Sequence, residues 1–578
     1  MRKAALVLVT VVSLAALSGA ALSGANGLVN SIYGYSSPLK GEPPLTDHIP
    51  TPLTSQVVII VIDGLRLDTS TRMPFLNSLR KVGAQASLVA DPPSTTLPAW
   101  STLISGAGPE VNGAPLFDRE YEWIQPLDID QLFAVVDRAG ATCGIVGFHW
   151  WERLVPPQQL YTSYFVHAEG NAADQEGVEQ AIRFLREFAP NFLVVNLRQL
   201  ELSGRHHGGV SDTYARSALR CDSYVQQLAS AMDLRHSVLI VLSSYGHLDA
   251  GGHGGDEPVT LITPFVMAGE NVRPGDRGEI SATDVAPTVA ALLGMPFPRA
   301  TQGRVRNDML RMDRVDEAEK LVSLASQRVH MGNVYLGSIG RGSVSETAEG
   351  DMLVAVSSIQ VENYDSAVTL ASLAIEQSNQ EIHDGREARI TAERRRRTVP
   401  LAITAAVVAA FVWAFRSRAA AWSALAALLS ATLYHFLFLQ EGNIYSFSRL
   451  PVGGLPAILE PSLRRAALAT VLGAVLLVLK LWRDRERSLF SVVMRTYGFG
   501  AFQLLWIALL LAPCFWLNGY RFTWYLPDLR IAYVQLMALV QAMCVAALTI
   551  VLPVAVAAAH GLLLAISDRR ARAIHESP

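Results

Sequence analysis

The chain has 578 residues, too long for one hydrophobic core, so two or more folded units are expected. Half of the residues are hydrophobic and only 17% are charged, a balance that leans toward a membrane protein. The net charge of -3 is unremarkable and no basic stretch suggests nucleic acid, so no nucleic-acid partner is expected. The four cysteines form no CxxC, which argues against a thiolate zinc site. Cys143 and Cys221 either pair or remain two buried thiols.

Taken in chain order, Arg2 and Lys3 precede an apolar run from Ala4 to about Leu22. This reads as a signal peptide or an uncleaved signal anchor over residues 1–24, with the basic flank inside and the following domain exported. Residues 25–55 hold Pro, Gly and Ser without periodicity and read as a linker. From 56 to 305, apolar strand-like runs alternate with helical patterns, with candidate strands at Val57–Ile62, Thr142–Val146, Phe192–Asn196, Val238–Leu242 and Phe265–Met267. That alternation predicts an α/β domain with a mixed, mainly parallel sheet flanked by helices. Residues 306–398 change character: Asp313–Arg328 and Met352–Gln380 have helical spacing and predict a helical hairpin or stalk.

Five apolar segments follow, at about 399–415, 420–438, 466–482, 490–517 and 532–565, which predicts a five-helix all-α transmembrane region over 399–565 and a cytoplasmic tail over 566–578. Arg416 and Arg418, the 480–487 loop, and Arg569, Arg570 and Arg572 are all basic. Placing these three groups inside leaves 439–465, 518–531 and the 56–395 domain outside. The Arg394–Arg397 cluster dissents, and reads either as a collar touching anionic headgroups or as a solvated helix end. Tyr445, Phe447, Trp516, Tyr520, Trp524 and Tyr525 in the outer loops suit interfacial belts. His435 is the clearest polar residue within a span, and paired intramembrane charges are not evident.

Two apolar runs end in polar, metal-capable residues, as expected where a site forms at the carboxyl ends of strands. Val57–Ile62 leads to Asp63 and Gly64, and on to Ser94-Thr95-Thr96-Leu97-Pro98. Val238–Leu242 leads to Ser243-Ser244-Tyr245-Gly246-His247 and then Gly252-His253-Gly254-Gly255. A carboxylate such as Asp63 directly after an apolar strand is costly without water, a metal or a cation. With Leu103-Ile104-Ser105-Gly106, Pro109-Glu110-Val111-Asn112-Gly113, Thr263-Pro264 and Asp284-Val285-Ala286-Pro287-Thr288, these segments resemble the alkaline phosphatase superfamily in order and spacing. The similarity covers roughly 250 residues. It is nearest to the type I phosphodiesterase/nucleotide pyrophosphatase branch and to the GPI ethanolamine phosphate transferases, whose membrane layout the chain also resembles.

The resemblance implies phosphoryl transfer at a divalent-metal site, zinc or else manganese, with one or two ions. Thr96 takes the nucleophile position, Thr95 being the adjacent fallback, and metal coordination would activate its hydroxyl. The residue-level alternative is that the Thr-rich turn only caps the helix beginning near Pro98. The implied metal set is Asp63, Thr96, Glu201, His206 and His253. Within Glu201–Gly209 the family's ligand His falls on Arg205, so His206 or His207 is the substitute donor. The largest departure is Ser244 and Tyr245, which stand where the family has Asp-His. Neutral Ser and Tyr are poor ligands for hard or borderline cations, so the metal site reads as degenerate or empty, unless His247, Asp249 or Asp256 compensates. The family's Asn about 21 residues after the nucleophile falls on Phe117, beside Asp118.

Two functions remain open from sequence. One is a membrane-bound extracytoplasmic phosphoesterase or phosphoethanolamine-transferase-like enzyme acting on a lipid- or glycan-linked phosphodiester headgroup. The other is a catalytically inactive protein of the same fold that binds a lipid, glycan or protein partner. Trp123, His149, Trp150 and Trp151 in the 114–190 insertion read either as cleft lining or as packing.

Overall fold

The computed structural model describes residues 2–46, 50–118, 120–414, 417–450 and 454–575. The expected inside residue Arg416 lies outside the described residues, as do the side chains of Arg2 and Arg572. The chain divides into two compact units. One holds residues 32–391 with 523–526, and the other holds 1–31, 392–522 and 527–578.

The first unit is built on an eight-stranded sheet. Its strands are β1 Val57–Ile62, β2 Ala84–Val89, β3 Cys143–Phe148, β4 Thr162–Val166, β5 Phe192–Leu197, β6 Val238–Leu242, β7 Ile262–Gly269 and β8 Gly275–Ser281. The spatial order is β4-β3-β5-β1-β6-β7-β2-β8. All neighbours are parallel except around β7, which runs antiparallel to both β6 and β2. The all-apolar β1 (VVIIVI) is fully buried, as a central strand covered on both faces must be. It pairs in parallel with β5 and β6, with Val61 opposite both Asn196 and Leu242. The carboxyl ends of β1, β5 and β6 are therefore level, and the residues just beyond them meet in one crevice. Trp100 and Trp151 stack at 4.4 Å in the core on one face, so Trp151 is a packing residue. Cys143 and Cys221 are both buried free thiols.

The region expected as a stalk packs onto this domain instead. Its helices run Arg314–Ser338, Glu346–Gln360 and Tyr364–Ala414, the last contributing its first part to this unit. The single helix expected over 352–380 is broken at 361–363, where Glu362 adopts a left-handed φ of 58°. Ala107, Val111 and Ala300 of the sheet domain share a core with Ala318, Val322 and Val329. Buried Arg328 donates through Nη2 to the Gly303 carbonyl at 2.6 Å, and Arg386 grips Glu110 with both Nε and Nη2. Trp524 and Tyr525 of the 518–531 loop are also buried in this core.

The second unit contains helices Arg2–Tyr33 (as far as Ser31), Arg418–Gln440, Gly454–Arg483, Leu489–Asn518 and Leu529–His575. Among the described residues five helices are long and apolar enough to cross a membrane, one near the N-terminus and four between Arg418 and Arg570, and the protein is an integral membrane protein. The expected segment at 399–415 forms the end of helix Tyr364–Ala414. Gly500 allows close helix contact, since a Cβ there would lie 2.2 Å from Thr549 Cγ2. Arg465, 4% exposed, donates to Glu441 at 3.1 Å and to Ser462 at 3.2 Å. A buried guanidinium requires a partner of this kind.

Replacing Arg328 with Ala leaves the buried Gly303 carbonyl unpaired, and is expected to cost roughly 1–3 kcal/mol. Chemical denaturation should show that loss, and limited proteolysis should cut the 314–391 helices faster. Unchanged stability and cleavage would mean that these helices do not depend on this contact.

Candidate active site

Asp63 follows β1 and is completely buried. Its Oδ1 accepts from Trp100 Nε1 at 2.9 Å and from the Ser244 hydroxyl, and its Oδ2 accepts from Asn196 Nδ2 at 2.8 Å. All three donors are neutral. Burial raises the Asp63 pKa to about 6, although the hydrogen bonds from Ser244, Trp100 and Asn196 oppose that rise.

Thr96 opens helix Thr96–Ser105, following the extended Thr95. Pro98 is tolerated there because first-turn N–H groups have no intrahelical partner. Thr95 makes no capping bond; its hydroxyl donates to the Leu116 carbonyl at 2.8 Å. Thr96 Oγ1 lies 3.2 Å from Asp118 Oδ2 and 3.0 Å from the Tyr245 hydroxyl. Tyr245 is 1% exposed, and its ring stacks on the His253 imidazole at 4.0 Å with 16° between planes. Burial pushes its phenol pKa well up, so it is a neutral hydrogen-bonding group.

His253 Nδ1 donates to the Ser94 carbonyl at 2.7 Å. Its Nε2 lies 3.3 Å from Glu201 Oε1 and 3.2 Å from Arg205 Nη2. Gly254 N donates to Ser94 Oγ at 2.9 Å, which pins the glycine-rich loop to the Thr96 segment. Glu201 is 1% exposed. Burial alone would raise its pKa, but His253, Arg205 and Arg198 together hold it well below the usual carboxylate range. Arg205 reaches Glu201 at 2.6 Å and Asp118 at 3.8 Å, with about a third of its side chain exposed.

Thr96, Glu201 and His253 thus come together with Arg205, Tyr245 and Asp118, and Asp63 sits in its own cage of Trp100, Ser244 and Asn196. His206 and His207 do not join them. Both are exposed and line a separate cavity. His247 is fully buried beside His253, with ring centroids 5.2 Å apart. Burial, and next the neighbouring His253, lower its pKa to about 3. Cβ atoms at Gly64 or Gly204 would come within 2.8 Å or 2.2 Å of that ring, so both positions need glycine. Asp249 pairs with Arg66 instead of entering the site.

This donor set does not fit a divalent metal. His253 Nε2 is engaged by Glu201 and Arg205, Asp63 accepts from three neutral donors, and Tyr245 lies between Thr96 and His253. Among the described residues no group of three or more His, Cys, Asp or Glu side chains is arranged to hold a metal ion. Of the expected set of Asp63, Thr96, Glu201, His206 and His253, the structure brings Thr96, Glu201 and His253 together, holds Asp63 in a separate cage and places His206 apart. His206 leaves because it lies one residue past Arg205, which holds the i+4 position to Glu201. Trp100, Asn196 and Asp118 are the site residues that sequence reasoning missed or left without a role. They come from distant elements, and only the position of Asp118 next to Phe117 hinted at a role.

Comparison with known proteins agrees with this fold class. Residues 57–273 match the family model for type I phosphodiesterase / nucleotide pyrophosphatase, a generally metal-dependent family. The sheet domain is similar to that family, and the chain joins it to apolar helices in a layout like that of the GPI ethanolamine phosphate transferases. The human GPI ethanolamine phosphate transferase 2 catalytic subunit is 25% identical over 285 residues, covering 44% of this chain and 28% of that protein. GPI ethanolamine phosphate transferase 2 of Candida glabrata is 21% identical over 315 residues, covering 46% of this chain and 37% of that protein. The chain thus matches well under half the length of these relatives. Human ectonucleotide pyrophosphatase/phosphodiesterase 5 superposes with a TM-score of 0.36 at 15% identity, over 42% of this chain and 95% of that chain.

Because the Asp63 pKa is raised above its unfolded value, the native state binds a proton more tightly. Stability from this group is full below the unfolded pKa of 3.8 and falls as pH rises through about 6. The loss is of order 3 kcal/mol if taken in full. Asp63→Asn should flatten the stability profile between about pH 4 and pH 6, leaving the share of Asp174, which is raised to about 6. Denaturation midpoints across that range check it; an unchanged slope would show that Asp63 is not the titrating group.

Proposed function

We propose that the protein is a membrane-anchored binding protein with an extracytoplasmic phosphodiesterase-type domain, whose phosphoryl-transfer centre has been rebuilt without metal. The partner class is a lipid- or glycan-linked phosphate headgroup, in keeping with relatives named for transferring ethanolamine phosphate to GPI. The observation that carries this reading is Tyr245, whose hydroxyl meets Thr96 and whose ring covers His253. A threonine hydroxyl is a weak nucleophile that needs a cation or a strong base. Here its contacts are a neutral phenol and the Asp118 carboxylate, itself 3.8 Å from Arg205.

One observation favours residual chemistry: the Thr96–Asp118 distance of 3.2 Å is that of a nucleophile and its base. Arg205 supplies positive charge but no vacant coordination position to lower the hydroxyl pKa.

Purified full-length protein should therefore contain substoichiometric zinc and manganese, and show no aryl phosphodiester cleavage that depends on Thr96. Replacing Ser244 with Asp, Tyr245 with His and Arg205 with His should raise zinc affinity by roughly 100-fold or more. Metal analysis by mass spectrometry and a Thr96→Ala control decide the matter. Near two equivalents of metal, with turnover abolished by chelator and by Thr96→Ala, would overturn the proposal.

A further inference from the structure

The two histidines that leave the site, His206 and His207, line a different cavity. It has a volume of about 380 Å3 and opens among helices Asn171–Glu187, Gln199–His207 and Asp212–Ser230. Facing them across it are Arg216 and Arg220, one turn apart on the third helix. Each guanidinium is held by a neutral side chain: Arg216 Nη2 donates to Thr213 Oγ1 at 3.2 Å, and Arg220 Nη1 donates to Asn171 Oδ1. Among the described residues neither arginine is in an ion pair with a carboxylate. Glu169 is the one acid in the described lining. The buried Asp174 has both oxygens committed to the Arg198 and Gln199 backbone N–H groups, at 3.0 and 3.1 Å. Ser203 and Ser217, each 4% exposed, form the polar floor, with their hydroxyls 2.8 Å apart.

Two like charges at i,i+4 repel, and two imidazoles added to them do nothing for helix stability. The arrangement makes chemical sense when an anion fills it. A tetrahedral oxyanion has acceptors in several directions. The forked arginine donors come from one helix, the imidazoles from another, and hydroxyls lie at the base. We propose that this cavity binds a phosphate monoester, held by Arg216 and Arg220 with His206 and His207 closing over it. The inference is independent of whether Thr96 performs chemistry, because none of these residues touches the Thr96 site.

The test is isothermal titration of the full chain in detergent at low ionic strength. The probes are glycerol 3-phosphate and dioctanoyl phosphatidic acid. Saturable binding is expected, weakened roughly ten-fold or more by Arg216→Ala with Arg220→Ala, and by His206→Asn with His207→Asn. Arg183→Ala, elsewhere on helix Asn171–Glu187, should bind like wild type. If the double arginine variant fails to fold, Arg216→Lys with Arg220→Lys and the histidine pair decide instead. Tighter binding of the phosphatidic acid would identify a membrane lipid as the source of the phosphate. Equal binding would identify the phosphate group alone, and both results support the site. No saturable binding of either probe, or folded variants that bind like wild type, would overturn the proposal.

Discussion

A carboxylate at the end of a strand buried on both faces dominates the chemistry of this domain. Val57–Ile62 has no polar residue, so it enters the centre of the sheet and delivers Asp63 to a completely buried place. An unpaired charge there would cost many kcal/mol. Trp100, Asn196 and Ser244 provide the compensation, and each is fixed for a separate reason. Trp100 is stacked on Trp151, Asn196 sits opposite Val61 in the ladder, and Ser244 lies just beyond β6. The next residue, Tyr245, extends to Thr96 and covers His253. The geometry around Thr96 is thus a consequence of how Asp63 is satisfied.

The second buried acid is handled differently. Glu201 keeps its charge because Arg205, one turn along the same helix, and Arg198 stand beside it. A guanidinium matches a metal ion in attraction for anions, but its N–H groups are directional and it accepts no ligand. The arrangement around Arg205 can hold an oxyanion in place without activating a hydroxyl. Arg205 and Asp118 are also the partly exposed members of the cluster, so contact with a ligand would run through them.

Much of the sheet was legible because its central strands are apolar and bounded by turn residues. Val57–Ile62 and Val238–Leu242 match the structure residue for residue, and β3 and β5 agree within two residues at either end. The strands that went unseen are the ones whose sequence lacks that signal. β2 (AQASLV) is only alternately buried, β4 lies at a sheet edge, and β8 (GDRGEIS) is largely exposed. The site was legible as a set of positions but not as a set of contacts. A helix advances about 100° per residue, so Arg205 shares a face with Glu201 while His206 turns away. That distinction depends on where the helix starts, which spacing alone leaves open. Arg465 was hidden for a similar reason: it sits just before the apolar segment expected at 466–482, and its partner Glu441 lies on the preceding loop.

The three departures from the family pattern, at Ser244, Tyr245 and Arg205, complement one another physically. A site that had merely lost its cation would leave two carboxylates buried and uncompensated, each at a cost of several kcal/mol. Here Ser244 donates to Asp63, Arg205 neutralises Glu201, and Tyr245 fills the intervening space while hydrogen-bonding Thr96. Any one of the three without the others would leave a void, an unpaired charge or an unpaired hydroxyl. Their agreement makes the centre a stable structure in its own right.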